Sequence, residues 1–139
     1  MNVSLVGVAL ASVLQFIIGA VWYMPLFGKL WGQIHGFDKI PKEEQAKMQQ
    51  AMWPYLLVQF GITVLTTCVF ALLLNGFPRE WNIYGLGFFF WLGFIFPTQV
   101  SAVIFGGTEG RWIVKKITVS AGAALLCMMA AAFVLSFYR

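Results

Sequence analysis

Charge is what this chain has least of. Only 10% of its residues are Asp, Glu, Lys or Arg, against about a quarter in an ordinary soluble domain. Four runs, 1–28, 48–78, 81–108 and 117–138, contain none at all, at lengths of 28, 31, 28 and 22 residues. Roughly 20 apolar residues cross the hydrocarbon core of a bilayer, so each run is long enough to span, and the remainder leaves no room for a soluble domain. Histidine occurs once, as His35, and cysteine twice, as Cys68 and Cys127 within apolar runs. That supply is too small for a disulfide framework, a zinc site or a histidine-ligated haem. Asp, Glu, Lys, Arg and His are missing from the interior of every run, which weighs against a proton-coupled pump and against small four-span exporters built around a membrane acid. Serine, histidine and acid occur in no nucleophile-bearing motif, so neither an enzyme nor a cofactor is expected. The nine cationic residues sit at run ends or in loops and form no basic stripe for nucleic acid.

What is present is apolar length with punctuation. The chain reads as an all-α integral membrane protein, one domain of four transmembrane helices in an antiparallel bundle. The spans fall at about 3–24, 54–75, 83–105 and 113–137. The first lacks the positive leader of a signal peptide and is expected to remain uncleaved. On it, Gly7, Ala11, Gln15 and Gly19 fall four apart and share a face that a neighbouring helix can approach closely. Trp22 and Tyr23 mark a membrane interface, and Pro25 ends the regular helix. The fourth span is rich in alanine and carries Gly122, which suits close packing. Asn75-Gly76-Phe77-Pro78 is a turn signal, and the short link it opens makes spans two and three neighbours.

Between spans one and two lies a short amphipathic helix that begins near Pro41. Glu43 and Glu44 suit its first turn, Glu43 and Lys47 are spaced to pair, and Met48, Ala51 and Met52 offer an apolar face. Loops 1–2 and 3–4 hold Lys29, Lys39, Lys42, Lys47, Arg111, Lys115 and Lys116, whereas the opposite side holds only Arg79 and Arg139. The positive-inside bias therefore places both loops in the cytoplasm and both termini outside a cell (inner) membrane.

The densest polar group within an apolar run follows Pro97: Thr98, Gln99 and Ser101. Proline removes a helix hydrogen bond four residues back, at Gly93. Gln15 and, on the second span, Gln59 and Thr63 bring further neutral donors and acceptors, with Thr66 or Thr67 continuing the stripe. Two readings stand. These groups bond across helices as packing contacts, or Gln15, Gln59, Thr63, Pro97, Thr98, Gln99 and Ser101 line a site for a small polar solute, water or a cation. The glycines at 106, 107 and 110 lack the lysine-serine ending and strand–helix setting of a phosphate loop. Glu109, Arg111, Lys115 and Lys116 are placed to meet lipid head groups.

Two stretches, GAVWYMPLFGKLWGQIHGF (19–37) and WLGFIFPTQVSAVIFGG (91–107), together with the charged helix after span one, resemble a bacterial and fungal family known as domain of unknown function 1761 (DUF1761). The resemblance covers nearly the whole chain and implies a four-span membrane protein, with no established activity attached. Phe27-Gly28 before Lys29 and Trp31, and Phe105-Gly106 before Arg111 and Trp112, hint at a weak repeat of two helical hairpins. The leading expectation is a structural or interaction protein that self-associates through small-residue faces at Gly7, Ala11, Gly19, Gly93 and Gly122. The alternative is a passive channel or facilitator at the polar region near Pro97.

Overall fold

The computed structural model describes residues 3–139, and among these the secondary structure is entirely helical. Four helical segments are long and apolar enough to cross a membrane: Leu5–Leu26, Trp53–Gly76, Ile83–Phe105 and Gly110–Ser136. They follow the predicted spans within about three residues.

The regular helices are α1 (Leu5–Val21), α2 (Gly28–Ile34), α3 (Lys42–Gln50), α4 (Trp53–Gly76), α5 (Ile83–Phe90), α6 (Phe96–Phe105) and α7 (Ile113–Ser136). Local chemistry explains their ends. Ser4 caps α1 by accepting from the Gly7 N–H at 3.1 Å, and Asn82 caps α5 by accepting from Tyr84 and Gly85 at 2.9 and 3.2 Å. Both side chains satisfy donors that a helix start leaves free. Pro54 sits in the first turn of α4, where its missing N–H costs no helix bond. Beyond α6 the chain reverses at Gly107, whose φ of +74° only glycine adopts without strain.

Spans one and three each contain one wide turn. At Trp22–Leu26 the Phe27 N–H reaches back five residues to the Trp22 carbonyl, at 2.9 Å. At Trp91–Ile95 the Phe96 N–H reaches the Trp91 carbonyl in the same way. A proline lies inside the first turn (Pro25) and directly after the second (Pro97). Each lacks the N–H an α-helix would use there, and the ladder widens locally to i→i−5 around it.

α7 is the hub. It packs along α1 and both halves of span three, and α4 packs on α1. The largest buried cluster joins Val8, Ala11, Phe70, Ala71, Leu74, Leu86, Met128, Ala132 and Leu135, with Phe90 against its edge. It fills one half of the bundle, where α1 begins and α4 and α7 end. Spans two and three meet there through Phe70 and Phe90, with ring centroids 6.1 Å apart. The link between them is tied down by Arg139, whose guanidinium donates to the carbonyls of Phe77, Pro78 and Trp81 at 2.9, 2.9 and 3.3 Å.

The helix predicted after Pro41 is present as α3, with Glu43 and Glu44 in its first turn. The expected Glu43–Lys47 pair does not form; among the described residues the ion pair is Glu109–Arg111. Gln45 holds α3 instead, donating to the Phe37 and Ile40 carbonyls at 3.0 and 2.8 Å. A solvated ion pair gains little over two separately hydrated charges, whereas the amide satisfies backbone acceptors of the preceding turn.

Candidate functional site

Gln15, Trp22 and Trp91 carry polarity across helices inside the bundle. Gln15, 8% exposed on α1, donates to the Thr67 hydroxyl of α4 at 2.7 Å and to its own Ala11 carbonyl at 3.1 Å. Thr67, 1% exposed, donates its hydroxyl hydrogen bond to the Thr63 carbonyl at 2.7 Å. Helical spacing admits both Thr66 and Thr67 to the stripe; packing selects Thr67 and turns Thr66 outward, where it bonds its own Ile62 carbonyl. The Cys127 thiol on α7 lies 3.5 Å from the Gln15 carbonyl, so three spans meet at this one residue.

The other two are tryptophans. Trp22 donates its indole N–H to the Val119 carbonyl at 2.9 Å, and Trp91 donates to the Ala121 carbonyl at 3.0 Å. Both acceptors lie inside α7, where bulky side chains one turn on would shield the backbone. Here the residues three ahead are Gly122 and Ala124, and the carbonyls stay open. A Cβ on Gly122 would come 3.1 Å from the Trp22 ring. Each tryptophan also opens a wide turn and contacts the phenylalanine five residues on, with Trp22–Phe27 centroids 4.6 Å apart and Trp91–Phe96 centroids 5.3 Å apart. The likeness between spans one and three thus lies in Trp-x4-Phe. The Phe-Gly pairs at 27–28 and 105–106 do not correspond, since span one ends at its wide turn whereas span three continues through α6. Trp22 is half-buried near the end of span one and spends its indole N–H on α7.

The polar residues around Pro97 are not drawn together with those of span two. Thr98 is exposed and donates to its own Phe94 carbonyl at 2.6 Å, and Ser101 and Pro97 are exposed. Gln99 turns inward and its Oε1 is buried without a hydrogen-bond partner. Across the molecule, Gln59 is exposed on α4 and Thr63 donates to the Gln59 carbonyl at 2.9 Å. Among the described residues no hydrogen bond joins one group to the other. A crevice about the size of one water lies elsewhere, between Val3, Leu74, Leu135 and Tyr138.

The third loop brings charge onto an aromatic. Arg111 pairs with Glu109 at 2.7 Å, and Arg111 and Lys115 lie 5.3 and 5.0 Å from the Trp112 ring centroid. Lys116 donates to the Thr108 hydroxyl at 3.3 Å. These groups ring the start of α7, where free N–H groups favour negative charge. Among the described residues no three His, Cys, Asp or Glu side chains cluster as metal ligands.

Of the five small residues expected to mediate self-association, three are occupied inside the chain. Gly7 lies against Tyr138, where an added Cβ would come within 2.9 Å of the ring; Ala11 is fully buried; Gly122 faces Trp22. Gly19 and Gly93 face open space.

A family model for proteins of unknown function, DUF1761, matches residues 6–136. The chain belongs to that family. The match takes in the four spans, both wide turns and the Gln15–Thr67, Trp22–Val119 and Trp91–Ala121 contacts, whereas Tyr138 and Arg139 lie beyond it. No curated protein and no solved structure matches this DUF1761 chain.

Proposed function

We propose that this DUF1761 protein is a compact antiparallel four-helix bundle of the cell (inner) membrane that serves as a structural or interaction unit and self-associates, rather than as an enzyme. The observation that carries the reading is where the interior polar groups end. Gln15, Trp22 and Trp91 each spend their donor on a neighbouring span, as helices do when polarity locks packing. The antiparallel arrangement is supported by paired contacts along spans one and four: Gly7 lies by Tyr138, and Trp22 bonds Val119. Charge asymmetry supports loops 1–2 and 3–4 in the cytoplasm and both termini outside. On that side α3 lies along the membrane on its exposed Met48 and the following Met52. Arg111, Lys115 and Lys116 there meet lipid head groups.

A second reading, a passive facilitator for a small polar solute or ion, draws on Gln99. Its buried, unpartnered Oε1 lies two residues beyond Pro97, and an amide oxygen there suits a desolvated donor or cation.

Thiol accessibility decides between them. In a Cys68→Ala, Cys127→Ala background, single cysteines replace Gln15, Gln59, Thr63, Gln99 and Ser101 and meet a charged, impermeant reagent in native membranes. Protection at all five, with control cysteines at Lys42 and Trp81 labelled, is the result expected of a dry bundle. Labelling at several depths would replace it with an aqueous path.

A further inference from the structure

Span two is packed along only part of its length. From Thr67 onward α4 buries Thr67, Phe70, Ala71 and Leu74, but from Trp53 to Gln59 every residue is exposed. Lipid covers exposed leucine and valine without cost. It does not cover Gln59, which lies six residues, about 9 Å, inside the helix start. Its side chain makes no hydrogen bond among the described residues, and an unpaired amide in hydrocarbon costs several kcal/mol. The neighbouring threonines Thr63 and Thr66 both donate to their own helix backbone, and neither hydroxyl accepts from Gln59.

The positions around Gln59 follow a pattern. Tyr55, Gln59, Ile62, Thr66, Val69 and Leu73 recur at alternating spacings of four and three, the seam of a left-handed helix pair. All six are exposed, Tyr55 at 68% and Ile62 at 51%. We propose that this seam binds the same seam of a second copy, with Gln59 bonding Gln59 across a two-fold axis.

Membrane insertion makes the second copy the fitting occupant. Two copies inserted the same way run span two parallel and hold Gln59 at one depth, so a two-fold axis along the membrane normal brings each residue to its own equivalent. A carboxamide carries both donor and acceptor and is therefore complementary to itself. A lone polar residue in an apolar seam fixes register in this way. The proposal rests on the bundle reading above and relocates self-association to span two from the small-residue faces, where Gly7, Ala11 and Gly122 are occupied within the chain.

Disulfide cross-linking in native membranes tests it, in the same Cys68→Ala, Cys127→Ala background. Cysteines replacing Tyr55, Gln59, Ile62 and Thr66 should cross-link under mild oxidant to a species twice the 15.6 kDa monomer, and cysteines replacing Leu57, Leu65 and Leu72 should not. Equal cross-linking at both sets, none at either, or an adduct of another mass would overturn the proposal. Gln59→Leu, on an outward-facing position that leaves the monomer's contacts intact, should weaken dimerisation measured by energy transfer in liposomes roughly three- to twentyfold. Gln59→Asn should retain most of it. Unchanged affinity in Gln59→Leu would refute the amide pair. The impermeant reagent separates the two levels: position 59 shielded but not cross-linked overturns the dimer alone, whereas labelling at several of the five depths overturns the dry bundle beneath it.

Discussion

Spans two and four are the two longest helices, each of 24 regular residues and nearly equal in apolar character, yet 33% of the most apolar stretch of span four is buried against 17% of span two. Apolarity alone does not separate them, because lipid tails solvate leucine as well as a protein interior does. Residue size does. Span four is lined with Val119, Ala121, Gly122, Ala123, Ala131 and Ala132, so three other helical segments come close enough for two indoles to reach its backbone. Span two presents Leu57, Val58, Leu65 and Leu72 outward and meets the bundle mainly through its last ten residues. In a membrane, the helix that is smallest in cross-section becomes the centre.

Putting bulk on the hub breaks that contrast most sharply. Gly122→Leu drives its side chain into the Trp22 ring, which already stands 3.1 Å from the place a Cβ would occupy. Overpacking of this kind costs up to about 3 kcal/mol. Unfolding by SDS in mixed micelles should show that loss, and Gly61→Leu on span two, where the space is open, should not. A smaller effect separates packing from polarity. Gln15→Leu and Thr67→Val should each destabilise the bundle, with a double-mutant coupling of about 0.6 kcal/mol and at most about 1.7. Strict additivity would mean the 2.7 Å bond contributes nothing net. The smallest effect belongs to the outer face. Leu65→Ala, at a site 64% exposed, should change monomer stability by less than about 0.5 kcal/mol. Leu74→Ala, at 1% exposed, opens a cavity and should cost about 2 kcal/mol. Equal losses at 65 and 74 would show that span two is covered on both faces within one chain.

The candidate polar region was only partly legible before the fold was known. Gln15 stands out in an apolar run, but helical spacing leaves both Thr66 and Thr67 on the span-two stripe and does not name its partner. Gln59 and Gln99 have the same chemistry on the page, yet one faces outward and the other turns its oxygen inward. Trp22 reads as an interfacial anchor, and nothing in the sequence says that its indole N–H ends on the Val119 carbonyl of α7. The recurrence of tryptophan five residues before phenylalanine, in spans one and three, was the available signal for the wide turns. It is easily passed over where aromatics make up 17% of the residues.

The sequence by itself determined the class, the span limits and the family, because span length and charge placement are set by the thickness and dielectric of the bilayer, which are the same for every membrane helix. It also placed the two prolines that widen the turns. Only the tertiary structure decided which helix is central, which glutamine finds a partner and which small residues are already occupied. Those outcomes depend on the rotation of each helix about its axis, and in lipid that rotation is set by side-chain size and a few hydrogen bonds between helices, contacts that exist only once the spans have met.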